Sequence, residues 1–288
     1  MHFLPIDDGT NEASNGVFGV FFGATSVGKT ASSIQSLPKP ILILENEMRN
    51  IHIQARAVDV PQKAEDGSLN YVAVAYDTFP ELIEFIGDIK KKVTKKACGL
   101  DYADFKSILI DGVTQLTNNL KSEIADTAAE KRDTKSRNFI SDVKVAQEGF
   151  GAVADHMLRV TVMLKKLSRD DGKVVIFTTL IDSGVSWDGK AEAYPAFVGK
   201  KYGVELPGMC DFIGMVERRF EDILDEDGEK TGRSRVIFPP WVKFEEVPGE
   251  NFLCKWSGKR PVDKNGNPVE RIEGPLMLDR IINNVLTK

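Results

Sequence analysis

The chain has 288 residues, enough for one large domain or two small ones. Lysine and arginine number 38 and aspartate and glutamate 43, so the formal charge is −5 and a polybasic arm along the whole chain is excluded. Apolar residues make up 42% and charged residues 28%, which is the composition of an ordinary folded protein rather than a disordered or collagen-like one.

The sequence shows no sign of membrane insertion or export. The longest strongly apolar stretch, Val17–Ala24, is far shorter than the roughly 20 residues that span a bilayer. Residues 1–15 carry acids and no basic residue before an apolar core, so we expect no secretory signal and a cytoplasmic protein. The three cysteines, Cys98, Cys210 and Cys254, form no C-x-x-C pair, and we expect reduced thiols rather than disulfides or a zinc site.

Short apolar runs alternate with longer helical patterns, which is typical of a parallel sheet with crossover helices. The predicted strands are Gly16–Phe22, Pro40–Leu44, Tyr71–Tyr76, Lys106–Ile110, Lys173–Leu180 and Asp211–Arg218. The predicted helices are Ala31–Leu37, Phe79–Val93, Gln115–Lys131, Phe139–Leu167 and Leu276–Leu286. A lysine cluster at Lys90–Lys96 is interpreted as a solvated helix end, with a DNA contact as the alternative.

Two segments depart from this alternation. Asp182–Lys201 has no helical period and is predicted to be a long connection, of the kind that is often functional. Arg233–Pro261 contains short β-like runs separated by proline and glycine, which predicts an antiparallel ribbon after the parallel core. We therefore divide the chain into an N-terminal extension (1–15), a core (16–220) and a C-terminal ribbon with a helix packed on the core (221–288).

A phosphate-binding pattern, G-x-x-x-x-G-K-[ST], lies between the first predicted strand and the first predicted helix. Its residues are Gly23, Ala24, Thr25, Ser26, Val27, Gly28, Lys29 and Thr30. The glycines permit a backbone in which successive N–H groups face a phosphate, and the helix that begins near Ala31 adds a favourable dipole. We expect this loop, together with Ala31 after it, to bind ATP, with Lys29 at the β- and γ-phosphates and the Thr30 hydroxyl on Mg²⁺.

Acidic residues follow two of the predicted strands. Asp111 ends the apolar run Ser107–Ile110, as in a Walker B strand, and a carboxylate there would hold the waters that Mg²⁺ keeps. The second strand ends with Glu45 and Glu47, and the carboxyl ends of strands in a doubly wound sheet face the ligand crevice. We expect one of these two glutamates, Glu47 by preference, to activate or orient the attacking water.

The phosphate loop, followed by PKPILILENE, SILIDGVTQL and VVIFTTLID, resembles the RecA-like ATPase core. In closer detail it resembles phage-encoded AAA-type nucleotide-binding proteins that include single-strand annealing ATPases. The resemblance covers about Gly16–Arg218, and FLCKWSGKR is similar to a Lys/Arg-containing strand of those proteins. It implies an α/β fold: a RecA-like P-loop NTPase core with a mostly parallel sheet and helices on both faces, then an antiparallel ribbon and a terminal helix.

The same resemblance implies roles for residues. The family's catalytic glutamate corresponds to Glu47, and Glu45 stands where the family usually has aspartate. The polar residue that ends the strand after Walker B, a γ-phosphate sensor in the family, corresponds to Thr178 or Thr179. The family's DNA-contacting loop corresponds to Asp182–Lys201.

That loop interleaves aromatic rings with cations, a mixture that lets bases stack while ammonium groups meet phosphates. The candidate DNA-binding residues are Trp187, Lys190, Tyr194, Lys200 and Lys201. Alternatively, the rings, with Phe197, belong to the core or to a subunit interface, and the paired lysines act on a neighbouring subunit's nucleotide.

The leading interpretation is a Mg²⁺-dependent ATPase that acts on single-stranded DNA in recombination or annealing, as a homo-oligomeric ring or filament. A packaging or assembly ATPase with a protein partner is the second interpretation, and a small-molecule kinase is the third. The net charge of −5 leaves DNA binding possible through local patches but disfavours tight nonspecific affinity.

Overall fold

The structure is a computed structural model. It describes residues 16–47, 49–91, 101–130, 147–185, 191–225, 228–245, 250–257, 265, 267 and 273–286. The strands are β1 (Phe18–Phe22), β2 (Ile41–Glu45), β3 (Tyr71–Ala75), β4 (Ser107–Asp111), β5 (Val174–Thr179), β6 (Ile181–Val185), β7 (Ala191–Pro195), β8 (Phe212–Leu224), β9 (Lys230–Lys243), β10 (Lys255–Trp256) and β11 (Glu273–Pro275). The helices are α1 (Lys29–Ser36), α2 (Ile51–Arg56), α3 (Phe79–Lys90), α4 (Val113–Glu130), α5 (Gln147–Asp171), α6 (Lys200–Met209) and α7 (Leu278–Leu286).

The strands of the described residues form a large sheet and a separate β6–β7 hairpin. The order across the large sheet is β11-β9-β8-β1-β5-β4-β2-β3, with β10 beside β8. The six neighbouring strands β8, β1, β5, β4, β2 and β3 run parallel to one another. The pairs β8–β9, β9–β11 and β8–β10 are antiparallel. The mostly parallel sheet and the antiparallel ribbon predicted from the sequence are confirmed.

Helices cover both faces of the parallel strands, because successive side chains of a strand point to opposite faces. On β1, Phe18, Val20 and Phe22 join the core under α3, α4, α5 and α6, whereas Phe21 joins the core under α1, α2 and α7. Both faces of the sheet are therefore closed, and the carboxyl ends of the strands remain as the open edge.

Several predicted elements differ from the observed ones. The prediction that Asp182–Lys201 is a long connection is wrong. This segment contains most of the β6–β7 hairpin and the start of α6. The hairpin is not part of the large sheet, so its strands need no alternation of apolar and polar residues. The helical pattern of α6 is hard to recognise because the helix contains Pro207 and two glycines. Helix α2 was not predicted, because it has only six residues.

The strand predicted at Asp211–Arg218 continues as β8 to Leu224, where exposed charged residues replace the buried apolar run. The predicted boundary at residue 220 falls inside this strand. The N-terminal part of the helix predicted at Phe139–Leu167 lies outside the described residues, as do Lys92–Lys96 of the lysine cluster. None of the helices that the structure describes has the length and apolarity needed to cross a bilayer.

Candidate nucleotide site

The phosphate-binding pattern forms the turn from β1 into α1, at the carboxyl edge of the sheet. Gly28 precedes α1 with φ 95°, a left-handed conformation that glycine adopts without steric cost. Lys29 is only 9% exposed, and its Nζ donates hydrogen bonds to the carbonyls of Gly23 (2.9 Å) and Ala24 (2.8 Å). The ammonium group is thus folded back over the loop, where phosphate oxygens would replace those carbonyls as acceptors.

A cavity of about 450 Å³ opens over this loop. It is lined by Thr25, Ser26, Val27, Gly28, Lys29, Thr30, Glu47, Arg49, Gln54, Asp111, Gly112, Thr178, Thr179 and Leu180. The wall therefore combines the phosphate loop with the ends of β2, β4 and β5. The structure brings together Lys29, Glu47 and Asp111, the three residues predicted to be catalytic.

Asp111 is 1% exposed and organises two hydroxyl groups at the end of β4. Its Oδ1 accepts a hydrogen bond of 2.7 Å from Thr30 Oγ1 and another from Thr178 Oγ1. The Thr178 oxygen in turn accepts from the backbone N–H of Gly112 at 3.2 Å. In the sheet β5 lies between β1 and β4, and this order places Thr178, near the end of β5, beside Asp111.

This group has the composition of a Mg²⁺ site. Asp111 Oδ2 is buried and has no hydrogen-bond partner within the described part of the chain. No cluster of three or more histidine, cysteine or acidic side chains suited to a metal occurs among the described residues. A single carboxylate, a threonine hydroxyl and nucleotide phosphates are the donors that Mg²⁺ uses in nucleotide sites, so the residues fit this ion.

The two glutamates at the end of β2 occupy different environments. Glu45 is buried and does not line the cavity; its Oε1 accepts a hydrogen bond of 2.8 Å from the backbone N–H of Arg49. Glu47 lines the cavity and packs against Gly112, whose φ of 80° and lack of a side chain admit it. A Cβ at Gly112 would lie 2.6 Å from Glu47 Cδ. The backbone at the end of β4 is therefore shaped around Glu47.

Burial changes the acid–base behaviour of two of the charged groups that line the cavity, Lys29 and Glu47. It lowers the pKa of Lys29 to about 8, against the attraction of the Asp111 carboxylate. It raises the pKa of the Glu47 carboxyl, and the Arg49 guanidinium beside it opposes that shift. Added phosphate charge would favour the protonated ammonium of Lys29.

The residues predicted to bind DNA are only partly described. Trp187 and Lys190 lie outside the described residues, as does the side chain of Lys200. Tyr194 is half-buried on β7 beside Gly184, and exposed Lys201 forms a 2.7 Å ion pair with Asp155. The structure therefore describes the side chains of two of these five residues, Tyr194 and Lys201.

Phe197, the further ring considered in this segment, packs its ring 4.9 Å from that of Tyr202, which is fully buried. It therefore belongs to the edge of the core, in agreement with the alternative interpretation of that ring.

The hairpin that carries Tyr194 is hydrogen-bonded to the cavity wall. Thr114 Oγ1 approaches Thr179 Oγ1 (3.2 Å) and the carbonyl of Ala196 (2.9 Å), and it accepts from the N–H of Leu180 at 2.9 Å. These contacts connect the end of β5 to both ends of the β6–β7 hairpin.

The sequence did not reveal every residue of the cavity. Arg49, which follows β2, and Gln54, on α2, also line the cavity. The sequence signal that could have indicated Arg49 is a cation directly after the acidic turn of Glu45 and Glu47. Phe238 and Pro240 of β9 lie 3.4 and 3.5 Å from the position that a Gly28 Cβ would occupy. No local pattern indicates that contact, because it depends on the pairing of β9 with β8.

The fold and the site define a P-loop nucleotide-binding domain with a mostly parallel α/β core. The family model described as an AAA domain matches residues 15–240, and the chain belongs to this family. A KaiC-like protein of the hyperthermophilic archaeon Pyrococcus horikoshii OT3 resembles the structure with a TM-score of 0.41 and 11% identity, over 81% of this chain and 87% of that chain. No significant match is found among curated proteins.

Proposed function

We propose that the chain binds ATP with Mg²⁺ in the cavity over the phosphate loop and hydrolyses it there. One observation carries the proposal: Lys29, Asp111 and Glu47 come from three different strand ends and meet on the wall of one cavity. Folding alone gives no reason to gather two carboxylates and a largely buried ammonium group in this way, because desolvating charges is costly.

The phosphate loop binds the nucleotide in this proposal. Residues Gly23–Ala31 surround the phosphates in this proposal, and Thr25–Thr30 line the cavity. The N-terminus of α1 lies on the cavity wall, where its amides and dipole favour an anion. Lys29 contacts the β- and γ-phosphates and exchanges its two carbonyl acceptors for phosphate oxygens.

Thr30 and Asp111 hold Mg²⁺, which supplies charge neutralisation at the phosphates. Thr178 fixes the Asp111 carboxylate by its hydrogen bond to Oδ1 and stands at the end of β5, close to where the terminal phosphate would lie. The role of Thr178 in this proposal is to orient the Asp111 carboxylate. A direct contact of Thr178 with the terminal phosphate is the sensor role that the sequence resemblance implies.

Glu47 acts on the attacking water. Its carboxylate faces the cavity, whereas the Glu45 carboxylate is turned into the β2–α2 turn and bonded to a backbone amide. A positioned carboxylate that accepts a proton from water, or orients it in line with the phosphate, is the usual requirement for hydrolysis.

We further propose single-stranded DNA as the partner, contacted by the β6–β7 hairpin of a homo-oligomer. The support is the sequence resemblance, together with the hydrogen bonds of Thr114 that connect the hairpin to the cavity wall. Through these bonds, a shift of β5 on nucleotide binding would reach the hairpin.

The test is phosphate release by the purified chain with Mg²⁺ and ATP, measured with and without single-stranded DNA over a series of salt concentrations. The proposal predicts Mg²⁺-dependent hydrolysis that DNA stimulates, with stimulation declining as salt rises. A hydrolysis rate that does not change when DNA is added would instead favour a protein partner. Transfer of the terminal phosphate to a small molecule would favour a kinase.

A further inference from the structure

Arg49 lies on the wall of the nucleotide cavity, two residues after Glu47 in the turn that leads from β2 to α2. Its Nε is 2.5 Å from Glu47 Oε2. The Arg49 side chain is 39% exposed and that of Glu47 only 12%, so the guanidinium stands on the open side of the pair. Neither the phosphate-loop pattern nor the role proposed for Glu47 accounts for a cation at this place.

Backbone contacts hold Arg49 in place, although its side chain is exposed. The N–H of Arg49 donates to Glu45 Oε1 at 2.8 Å, and Asn50 caps α2 by accepting from the N–H of Ile53 at 3.3 Å. A buried carboxylate on one side and a helix cap on the other therefore hold the Cα of Arg49 at the cavity rim. A long side chain on a fixed base is suited to contact a ligand.

A cation beside Glu47 would offset the repulsion between its carboxylate and the terminal phosphate. Glu47 must stand close to that phosphate to act on water, and two negative groups at that distance repel each other. Lys29, the other cation of the described lining, belongs to the phosphate loop. Arg49 is the cation of the described lining that is already paired with Glu47.

We propose that Arg49 is a specificity-determining residue that binds the terminal phosphate of ATP while it pairs with Glu47, and so makes the cavity prefer ATP to ADP. The inference rests on the proposed function, because it assumes that ATP occupies the cavity. Guanidinium has five donors in a planar fork, so its Nε side can remain in the ion pair with Glu47 while the two Nη groups donate to phosphate oxygens. ADP lacks the phosphate that this fork would reach.

The experiment compares the dissociation constants of ATPγS and ADP, with Mg²⁺, for the wild-type chain and for Arg49→Ala, Arg49→Lys and Arg56→Ala. Arg56 is an exposed arginine on α2 outside the cavity lining, so its removal is the matched control for loss of one positive charge. We expect Arg49→Ala to weaken ATPγS binding about tenfold or more, the effect of one charge-assisted contact, with ADP binding unchanged. Arg49→Lys should recover part of the loss, because it restores the charge without the fork.

Equal weakening of both nucleotides, or no weakening of either, would overturn the inference. A wild-type chain that binds neither nucleotide would instead overturn the proposed function. A wild-type chain that hydrolyses ATP, while Arg49→Ala keeps the full preference for ATPγS, would overturn the role of Arg49 alone. Thermal unfolding is measured for each variant as well. If Arg49 had only a structural role, its replacement would lower the melting temperature and the affinities for both nucleotides together.

Discussion

The hydroxyl of Thr30 donates a hydrogen bond of 2.7 Å to Oδ1 of Asp111, 81 residues further along the chain. The bond joins the first turn of α1 to the end of β4, although β5 separates β4 from the strand that precedes the phosphate loop. Thr178, at the end of that intervening strand, donates to the same oxygen. The three side chains therefore form one hydrogen-bonded group on the wall of the nucleotide cavity.

Lys29→Ala should abolish hydrolysis without unfolding the chain. The substitution removes the cation proposed to meet the terminal phosphates, so turnover should fall about 100-fold or more. The measurement is phosphate release under saturating ATP, together with far-UV circular dichroism. Lys63→Ala, in an exposed loop, is the matched control. Turnover near that of the wild type in Lys29→Ala would exclude the phosphate loop as the catalytic site.

Thr178→Val should weaken the response to Mg²⁺ while preserving the shape of the side chain. Valine cannot donate to Asp111, so the carboxylate loses one of its two orienting hydroxyls. Loss of such an outer partner typically lowers metal affinity about 10- to 100-fold. A magnesium titration of the ATPase rate measures the effect, with Thr127→Val on the exposed face of α4 as the control. If the ATPase rates of Thr178→Val and Thr127→Val depended on magnesium in the same way, the role of Thr178 would be contradicted.

The parts of this site that were predictable are those that depend on local chemistry. The phosphate loop is a contiguous pattern, and Asp111 and Glu47 each follow an apolar run whose carboxyl end must face the open edge of a parallel sheet. The preference for Glu47 over Glu45 agrees with the cavity lining, although the sequence alone left both open.

The parts that were missed depend on contacts between distant segments. The approach of Phe238 to Gly28 follows from the β8–β9 pairing, and no residue of the loop signals it. The β6–β7 hairpin was missed because it stands apart from the large sheet and therefore lacks an apolar alternation. Arg49 was overlooked because its importance lies in the ion pair with Glu47, which requires the turn geometry.

The ATPase rate should fall in acid at a higher pH than an ordinary glutamate would dictate. Burial raises the pKa of Glu47 above its usual 4.5, and only the carboxylate can accept a proton or orient water. As the pH is lowered, Glu47 is therefore protonated early and the rate declines. The measurement is the maximal rate between pH 4.5 and 8, on protein whose fold is verified at each pH. A midpoint at or below 4.5 would contradict the predicted shift.

Tyr194→Ala and Lys201→Ala should affect DNA binding in different ways if the hairpin and the start of α6 contact single-stranded DNA. Loss of a stacking ring should weaken binding by about 1–3 kcal/mol with little dependence on salt. Loss of a phosphate contact should reduce the slope of log affinity against log salt by roughly 0.7. Fluorescence anisotropy over a salt series measures both. Unchanged affinity with an altered oligomer size would assign this region to a subunit interface.

Glu47→Gln and Glu45→Gln form the comparison that tests the account most directly, measured as ATP binding and single-turnover hydrolysis on the same samples. Glutamine at 47 keeps the size of the side chain but cannot take a proton, so ATP should still bind while hydrolysis falls about 100-fold or more. Glutamine at 45 retains an oxygen that can accept from the N–H of Arg49, so its rate should remain close to that of the wild type. Loss of hydrolysis in Glu45→Gln with a near-normal rate in Glu47→Gln would contradict the assignment of the catalytic carboxylate.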